Sequence, residues 1–204
     1  GDFAHVTGYW SLQTPKNWQP PESLAAFLKA GPPPVCVSFG SMLEKNPEKV
    51  TRQVVTALDQ AKQRGILISG WGGLRRIDLP AEMIMLDSVP FDWLFPRVAA
   101  VVHHGGAGVT AAALRAGIPA VVVPFGLDQP FWGRQVKRLG VGPDPLPLKQ
   151  LSPGRLAAAI HTVVTDENMR LNALTLGAKL SREDGVGNAV KIIESVVAKK
   201  VLNA

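Results

Sequence analysis

The chain has 204 residues, of which 46% are hydrophobic and 19% charged, and this composition supplies enough apolar material for the core of one domain with extensions. It contains no run of roughly 18 apolar residues, and its N-terminus lacks the basic-then-apolar order of a signal peptide, so we expect a soluble, cytoplasmic protein. The net charge of +6 is spread along the chain without basic-aromatic alternation, which argues against a nucleic-acid-binding protein.

The first 21 residues combine several prolines with aromatic side chains, among them Tyr9, Trp10 and Trp18. This mixture is too rich in proline for regular structure and too rich in aromatic residues for a free tail. It predicts an extended arm that packs on another surface. A short helix is predicted at 22–29, ended by Gly31 and the three prolines that follow it.

From residue 35 onward, short apolar strands alternate with segments of helical periodicity, which is typical of a parallel sheet covered on both faces. The predicted strands are 35–39, 66–69, 83–86, 99–103 and 120–123. The predicted helices are 47–64, capped by Asn46 and ended by Gly65, then 110–116, 130–139, 153–164, 167–182 and 187–199. The single cysteine, Cys36, lies in the first strand and is expected to be a buried thiol. We predict an α/β fold with a doubly wound, Rossmann-like parallel sheet, whose ligands bind beyond the carboxyl ends of the strands.

A glycine-rich turn, His-His-Gly-Gly-Ala-Gly at 103–108, joins the fourth strand to a helix. Glycine lets the backbone approach an anion closely and a helix N-terminus offers free N–H groups, so this turn favours a phosphate ligand. Because side chains alternate along a strand, only one of the two histidines can face the phosphate. We favour His104 and expect His103 to be packed or solvent-facing.

Two other interpretations of this turn stay open. The glycines can serve tight packing alone. Residues 106–111 also fit the pattern G-x-G-x-x-A, and Asp128 follows about twenty residues later, as in a dinucleotide-binding fingerprint of an NAD-dependent oxidoreductase. Two facts weaken that second interpretation: the acidic residue lies well beyond the next strand, and the motif is not in the first strand-to-helix turn.

Two further loops carry polar groups at strand ends. In residues 124–130, Asp128 and Gln129 can hydrogen-bond to vicinal sugar hydroxyls, with capping of the next helix by Asp128 as the alternative. In residues 38–42, Ser41 can meet the same diphosphate as His104. The sequence has no D-x-D motif, zinc-ligand spacing, P-loop or nucleophile elbow, so we expect no metal and neither a P-loop hydrolase nor an α/β-hydrolase.

Several motifs, in order and spacing, carry a resemblance to a known family. They are Thr-Gly-Tyr-Trp at 7–10, Ser-Phe-Gly-Ser-Met at 38–42, Ser-Gly-Trp-Gly-Gly at 69–73, Val-Pro-Phe-Asp-Trp-Leu-Phe-Pro at 89–96, the turn at 103–108, Leu-Arg-Ala-Gly-Ile-Pro at 114–119, and the segment 124–132. Together they resemble the C-terminal half of family 1 glycosyltransferases, and look most similar to the sterol 3-β-glucosyltransferases and related bacterial enzymes.

The resemblance implies one half of a GT-B architecture, with residues 1–21 as an interdomain linker, residues 22–204 as the nucleotide-sugar-binding domain, and an N-terminal acceptor-binding domain outside this chain. It implies transfer with inversion from a UDP-sugar such as UDP-glucose, without metal or cofactor. The general base then belongs to the N-terminal half, so we expect no catalytic residue in this chain and no activity from it alone.

The same resemblance assigns roles to individual residues. The implied diphosphate-binding residues are Ser41, His104, Gly106, Ala107, Gly108 and Thr110. The implied uracil- and ribose-binding residues are Trp71, Ser88 and Val89, and the implied sugar-binding residues are Asp128 and Gln129.

The sequence departs from the family pattern at several positions. Val109 stands where the family usually has a threonine, and we expect Thr110 to compensate in part for the lost hydroxyl. Leu127 stands where similar enzymes often have glycine. Ser88 and Ala112 stand where plant enzymes carry a base-stacking tryptophan and a ribose-binding glutamate, with Trp71 as a candidate substitute platform.

These observations favour the donor-binding domain of an inverting hexosyltransferase with a lipophilic acceptor such as a sterol. The alternatives are a stand-alone sugar-nucleotide-binding module without catalysis, the NAD-dependent oxidoreductase, and a GT-B UDP-sugar epimerase. The basic charge also leaves contact with an anionic membrane surface open.

Overall fold

A computed structural model describes residues 4–42 and 44–202, so residues 1–3 of the predicted arm lie outside it. The strands are β1 (Val35–Ser38), β2 (Gly65–Ile68), β3 (Met83–Leu86), β4 (Ala100–His103) and β5 (Ala120–Val122). The α-helices are α1 (Glu22–Lys29), α2 (Pro47–Gln60), α3 (Phe91–Leu94), α4 (Ala107–Arg115), α5 (Gln129–Arg138), α6 (Pro153–Thr165), α7 (Glu167–Leu180) and α8 (Gly185–Leu202). Short 3₁₀ turns occupy Phe95–Arg97 and Leu148–Gln150.

The strands form one parallel sheet in the order β3-β2-β1-β4-β5. The chain starts in the middle of the sheet at β1, proceeds outward to β3, and returns to the other side of β1 as β4. Because the chain continues from β1 to α2 on one face of the sheet and from β4 to α4 on the other face, a crevice opens at the carboxyl ends of these two strands. The predicted doubly wound, Rossmann-like fold is confirmed.

Two apolar cores lie on the two faces of the sheet, since successive strand residues point to opposite sides. Val35 and Val37 pack with residues of α2 and α6, whereas Cys36 packs with residues of α1, α3, α4, α5 and α7. Cys36 is fully buried, and this burial raises the pKa of its thiol to about 12. The expected buried thiol is confirmed.

Two predicted helix boundaries are wrong, each for a local backbone reason. Helix α2 ends at Gln60 and not near residue 64, because Lys62 adopts a left-handed φ of 51°, and Gly65 opens β2 instead of ending the helix. Helix α4 begins at Ala107 and not at 110, because Gly106 is its N-cap, with φ −63° and ψ 147°. Ala107 and Gly108 therefore form the first turn of α4 rather than a loop before it.

The arm contacts the domain at both ends of its described portion. The Asn188 side-chain amide donates to the Thr7 carbonyl at 3.1 Å, and the Thr14 N–H donates to Asp92 Oδ2 at 2.7 Å. Further along, the Trp18 and Trp93 rings meet edge to face at 5.0 Å. Within residues 4–42 and 44–202, no helix is both long and apolar enough to cross a membrane.

Candidate functional site

The loops after β1 and β4 leave the sheet side by side. Ser38 and His103, the last residues of these strands, are register partners. Gly40 follows in a left-handed conformation with φ 60°, which turns the β1 loop toward the β4 loop. The residues predicted to bind the diphosphate from these two loops are therefore neighbours at one edge.

The His104 ring lies in a slot between two glycines. A Cβ on Gly40 would lie 3.1 Å from His104 Cε1, and a Cβ on Gly106 would lie 2.5 Å from His104 Nε2. The second distance is shorter than any real Cβ contact, so the ring position requires glycine at 106. The sequence brings an imidazole directly beside the N-cap of α4.

His104 is half-buried, and its electrostatics favour the neutral ring. Burial lowers the pKa of His104, while the Ser38 backbone and the Asp128 carboxylate oppose this shift. Among the described residues, the buried Nδ1 atom makes no hydrogen bond within ordinary distance and angle limits. A neutral imidazole keeps one N–H, which can donate to an anionic oxygen.

His103 is packed, which resolves the predicted choice between a packed and a solvent-facing ring. It is completely buried, and its Nδ1 accepts a hydrogen bond from the Gly105 N–H at 3.0 Å. Burial, together with the neighbouring His104, lowers the pKa of His103 to about 3. This neutral ring holds the turn that presents His104.

The N-terminus of α4 is open to an anion. No side chain caps Gly106, and the first turn holds no acidic residue. The first turn therefore leaves backbone N–H groups unpaired within the helix, where the helix dipole contributes a partial positive charge. Gly108 in this turn is exposed.

Thr110 has a hydrogen-bond partner within its own helix. It is buried, and its hydroxyl donates to the Gly106 carbonyl at 2.8 Å, because the side chain lies one turn into α4. Val109, at the position of the family threonine, is buried in the core. The compensation expected from Thr110 stays a prediction, in a structure where its hydroxyl is hydrogen-bonded within α4.

The residues predicted for diphosphate, uracil and ribose on the other loops have mixed exposure. Ser41 and Ser88 are exposed, Trp71 is 89% exposed, and Val89 is buried in the core. The Asp87 carboxylate accepts from Arg76 and from Ser69, and both hydrogen bonds lower its pKa.

The loop after β5 turns its two predicted sugar-binding residues in different directions. Asp128 is exposed and accepts from Trp132 Nε1 at 2.8 Å, and its side chain does not cap α5. Gln129 is buried, and its Oε1 accepts from the Phe125 and Gly126 N–H groups. Asp128 is thus available to a ligand, whereas Gln129 braces its own loop.

A cleft that the sequence did not predict lies between the arm and helices α3 and α4. Its volume is about 1000 Å³ and its walls include Tyr9, Trp10, Phe91, Gly108 and Ala112. The aromatic residues of the arm were the only signal for it in the sequence.

Among the residues that the structure describes, no group of three or more His, Cys, Asp or Glu side chains could hold a metal ion.

Comparisons with known proteins relate this geometry to glycosyltransferases. Residues 49–194 match the family model described as erythromycin biosynthesis protein CIII-like, C-terminal domain (EryCIII-like). A sterol 3-beta-glucosyltransferase of Arabidopsis thaliana is 47% identical over 94% of this chain, which spans 30% of that relative. The O-mycaminosyltylonolide 6-deoxyallosyltransferase of Streptomyces fradiae is 41% identical over 93% of this chain, which spans 44% of it.

Solved structures share the fold at lower sequence identity. The crystal structure of a calicheamicin glycosyltransferase aligns with a TM-score of 0.74 at 23% identity, over 91% of this chain and 45% of that one. A kitacinnamycin glycosyltransferase aligns with a TM-score of 0.72 at 24% identity, over 92% of this chain and 47% of that one. The chain therefore spans less than half the length of these relatives and structures.

Proposed function

The chain belongs to the family of EryCIII-like C-terminal domains of glycosyltransferases. On this premise we propose that it is the donor-binding domain of an inverting glycosyltransferase. The enzyme transfers a hexose, preferably glucose, from a UDP-sugar to a hydroxyl of a lipophilic acceptor such as a sterol. Supporting this choice of acceptor, one relative that is 47% identical is named a sterol 3-beta-glucosyltransferase.

The observation that carries the proposal is the His104 ring beside the uncapped N-terminus of α4, held between Gly40 and Gly106. A leaving diphosphate gains negative charge as the bond from sugar to phosphate breaks. The unpaired N–H groups of α4 and the N–H of neutral His104 stabilise that charge where it develops. Exposed Ser41 on the adjoining loop supplies a hydroxyl to the same diphosphate.

The rest of the donor lies along the carboxyl edge of the sheet. The exposed backbone at Ser88 and the indole of Trp71 contact the uracil and ribose, with Val89 fixing the end of this loop in the core. Asp128, exposed after β5, accepts hydrogen bonds from sugar hydroxyls. Gln129 supports this contact from below by bonding the Phe125 and Gly126 N–H groups.

Inversion requires that the acceptor hydroxyl attack the sugar from the side opposite the diphosphate, after losing its proton to a general base. We propose that this base and the acceptor pocket belong to an N-terminal domain that docks on this one. Support comes from the exposed apolar side chains of α8, which form a stripe at spacings of four and three residues. The stripe consists of Val186, Val190, Ile193 and Val197.

We also propose a cytoplasmic enzyme that touches a membrane surface peripherally. A lipophilic acceptor resides in membranes, and the net charge of +6 favours approach to an anionic surface.

Calorimetric titration of this chain with UDP, UDP-glucose, TDP and NAD tests the donor-site proposal. His104→Ala should weaken UDP binding about tenfold or more, because a hydrogen bond to a charged group is lost. Asp128→Ala should weaken UDP-glucose but not UDP. His161→Ala, on the exposed side of α6, is the matched control and should change neither. Absence of uridine nucleotide binding, or a preference for NAD, would contradict the proposal.

A further inference from the structure

The cleft between the arm and the domain adjoins the proposed diphosphate site. Gly108, in the first turn of α4, lines the cleft, and a Cβ on Gly108 would lie 3.3 Å from the Tyr9 hydroxyl. The Tyr9 hydroxyl therefore stands where the cleft meets the N-terminus of α4.

The arm crosses the cleft as a strap anchored on both sides. On one side, Gly185 packs so closely on the arm that a Cβ there would lie 2.5 Å from the Tyr9 carbonyl oxygen, and Asn188 donates to the Thr7 carbonyl. On the other side, the Thr14 N–H donates to Asp92 at 2.7 Å. The exposed residues between these anchors line the cleft together with residues of α3 and α4.

The two walls of the cleft are complementary in size. The α4 wall presents Gly108, Ala111 and Ala112, which lie on one side of the helix and carry at most a methyl group. The arm wall presents Tyr9 and Trp10, which remain 40% and 62% exposed. The Trp10 indole N–H donates to Thr7 Oγ1 at 3.0 Å, which fixes the orientation of its ring. The cleft is therefore bounded by small side chains of α4 on one side and by the oriented indole of Trp10 on the other.

We propose that the arm forms the outer wall of the nucleoside site, with Trp10 covering the base and the Tyr9 hydroxyl donating to the diphosphate next to Gly108. This inference rests on the proposed donor-binding function and deepens it. A nucleoside diphosphate matches the cleft because its anionic end reaches the α4 N-terminus while its planar end lies between aromatic and small apolar surfaces. Trp10 then supplies the stacking surface that Ser88 lacks, which leaves the edge of the uracil and the ribose to Trp71 and the Ser88 backbone.

Titrations with UDP and with inorganic pyrophosphate separate the two arm residues. Trp10→Ala should weaken UDP about tenfold, as expected for a lost stacking surface, and leave pyrophosphate unchanged. Tyr9→Phe should weaken both ligands about threefold to tenfold, because it removes only the hydroxyl that bonds the diphosphate. Val6→Ala, in the arm but outside the cleft, should change neither ligand. Thermal unfolding of each variant verifies that the fold is retained.

The outcomes distinguish this inference from the function it rests on. If the unaltered chain binds UDP and the Trp10 variant binds it equally well, the arm is not part of the nucleoside site, and the donor-site proposal stands. If Trp10→Ala weakens pyrophosphate as much as UDP, the indole does not cover the base, and the inference is overturned. If the unaltered chain binds neither ligand, the proposed function fails and this inference fails with it.

Discussion

His103 is a buried, neutral histidine whose protonation opposes folding. Its folded pKa is about 3, against an ordinary value of 6.5, so below pH 6.5 the unfolded chain takes up a proton that the folded chain refuses. The stability that this group contributes is complete above pH 6.5 and is lost as the pH falls toward 3. The site turn is therefore predicted to be acid-labile.

Substitution by asparagine tests this pH dependence. An amide oxygen at position 103 can still accept from the Gly105 N–H but cannot take up the proton. Between pH 7 and 4.5, the unaltered chain should lose about 2–3 kcal/mol more unfolding free energy than His103→Asn. Guanidinium unfolding at several pH values measures this difference. Equal slopes for both proteins would show that another group controls acid stability.

Leu127 carries backbone strain at the predicted sugar loop. Its φ of 57° is left-handed and its side chain is 91% exposed, so the leucine gains little burial in exchange. The family resemblance expects glycine at this position, and the observed φ gives the physical reason. Leu127→Gly should therefore be more stable than Leu127→Ala by about 1 kcal/mol, which reverses the usual order of these residues. Denaturant unfolding of the two variants measures this difference in unfolding free energy. A more stable alanine variant would show that the left-handed backbone at residue 127 imposes no strain on a side chain.

Helix α4 begins at the candidate site, and its N-cap Gly106 forms one side of the slot that holds the His104 ring. The effect of this slot on binding can be tested separately from its effect on stability. Gly106 has a φ of −63°, which alanine adopts readily, so Gly106→Ala adds only the clash with the His104 ring. We expect UDP affinity to fall about tenfold while unfolding free energy changes by about 1 kcal/mol or less. Gly154→Ala in α6, where a Cβ meets nothing within 4 Å, is the matched control. Unchanged UDP affinity in Gly106→Ala would show that UDP binding does not depend on the position of the His104 ring.

At the scale of elements, sequence patterns predicted the strands because both faces of each strand are buried, which leaves uninterrupted apolar runs. The ends of these runs mark the carboxyl edge of the sheet, where the candidate site lies. Sequence patterns could not give the side-chain directions of Thr110 and Gln129, because these directions depend on where each helix begins. Once α4 starts at Ala107, the Thr110 hydroxyl falls on the Gly106 carbonyl, four residues back. The cleft under the arm depends on contacts between distant segments, which periodicity does not encode.

At the scale of the whole molecule, two exposed features lie outside the sheet edge itself. The apolar stripe of α8 has half-exposed valine and isoleucine side chains, which soluble domains ordinarily cover. The arm spans a cleft of about 1000 Å³ that opens beside the proposed diphosphate site. Both features suit a domain that works against a second domain, consistent with a chain that spans 30% to 44% of the curated relatives compared above.

The proposed division of labour between two domains yields a prediction about catalysis. In that proposal the donor-binding groups lie at the sheet edge, and His104 serves the leaving group and not the attacking hydroxyl. Without a base to take the acceptor proton, we expect no detectable transfer from UDP-glucose to a sterol in detergent micelles, even though the same preparation binds UDP in the calorimeter. The steryl glucoside formed is measured by chromatography. An intact two-domain sterol glucosyltransferase is the positive control. Transfer above background would show that this chain contains its own base, and would move the acceptor site onto this domain.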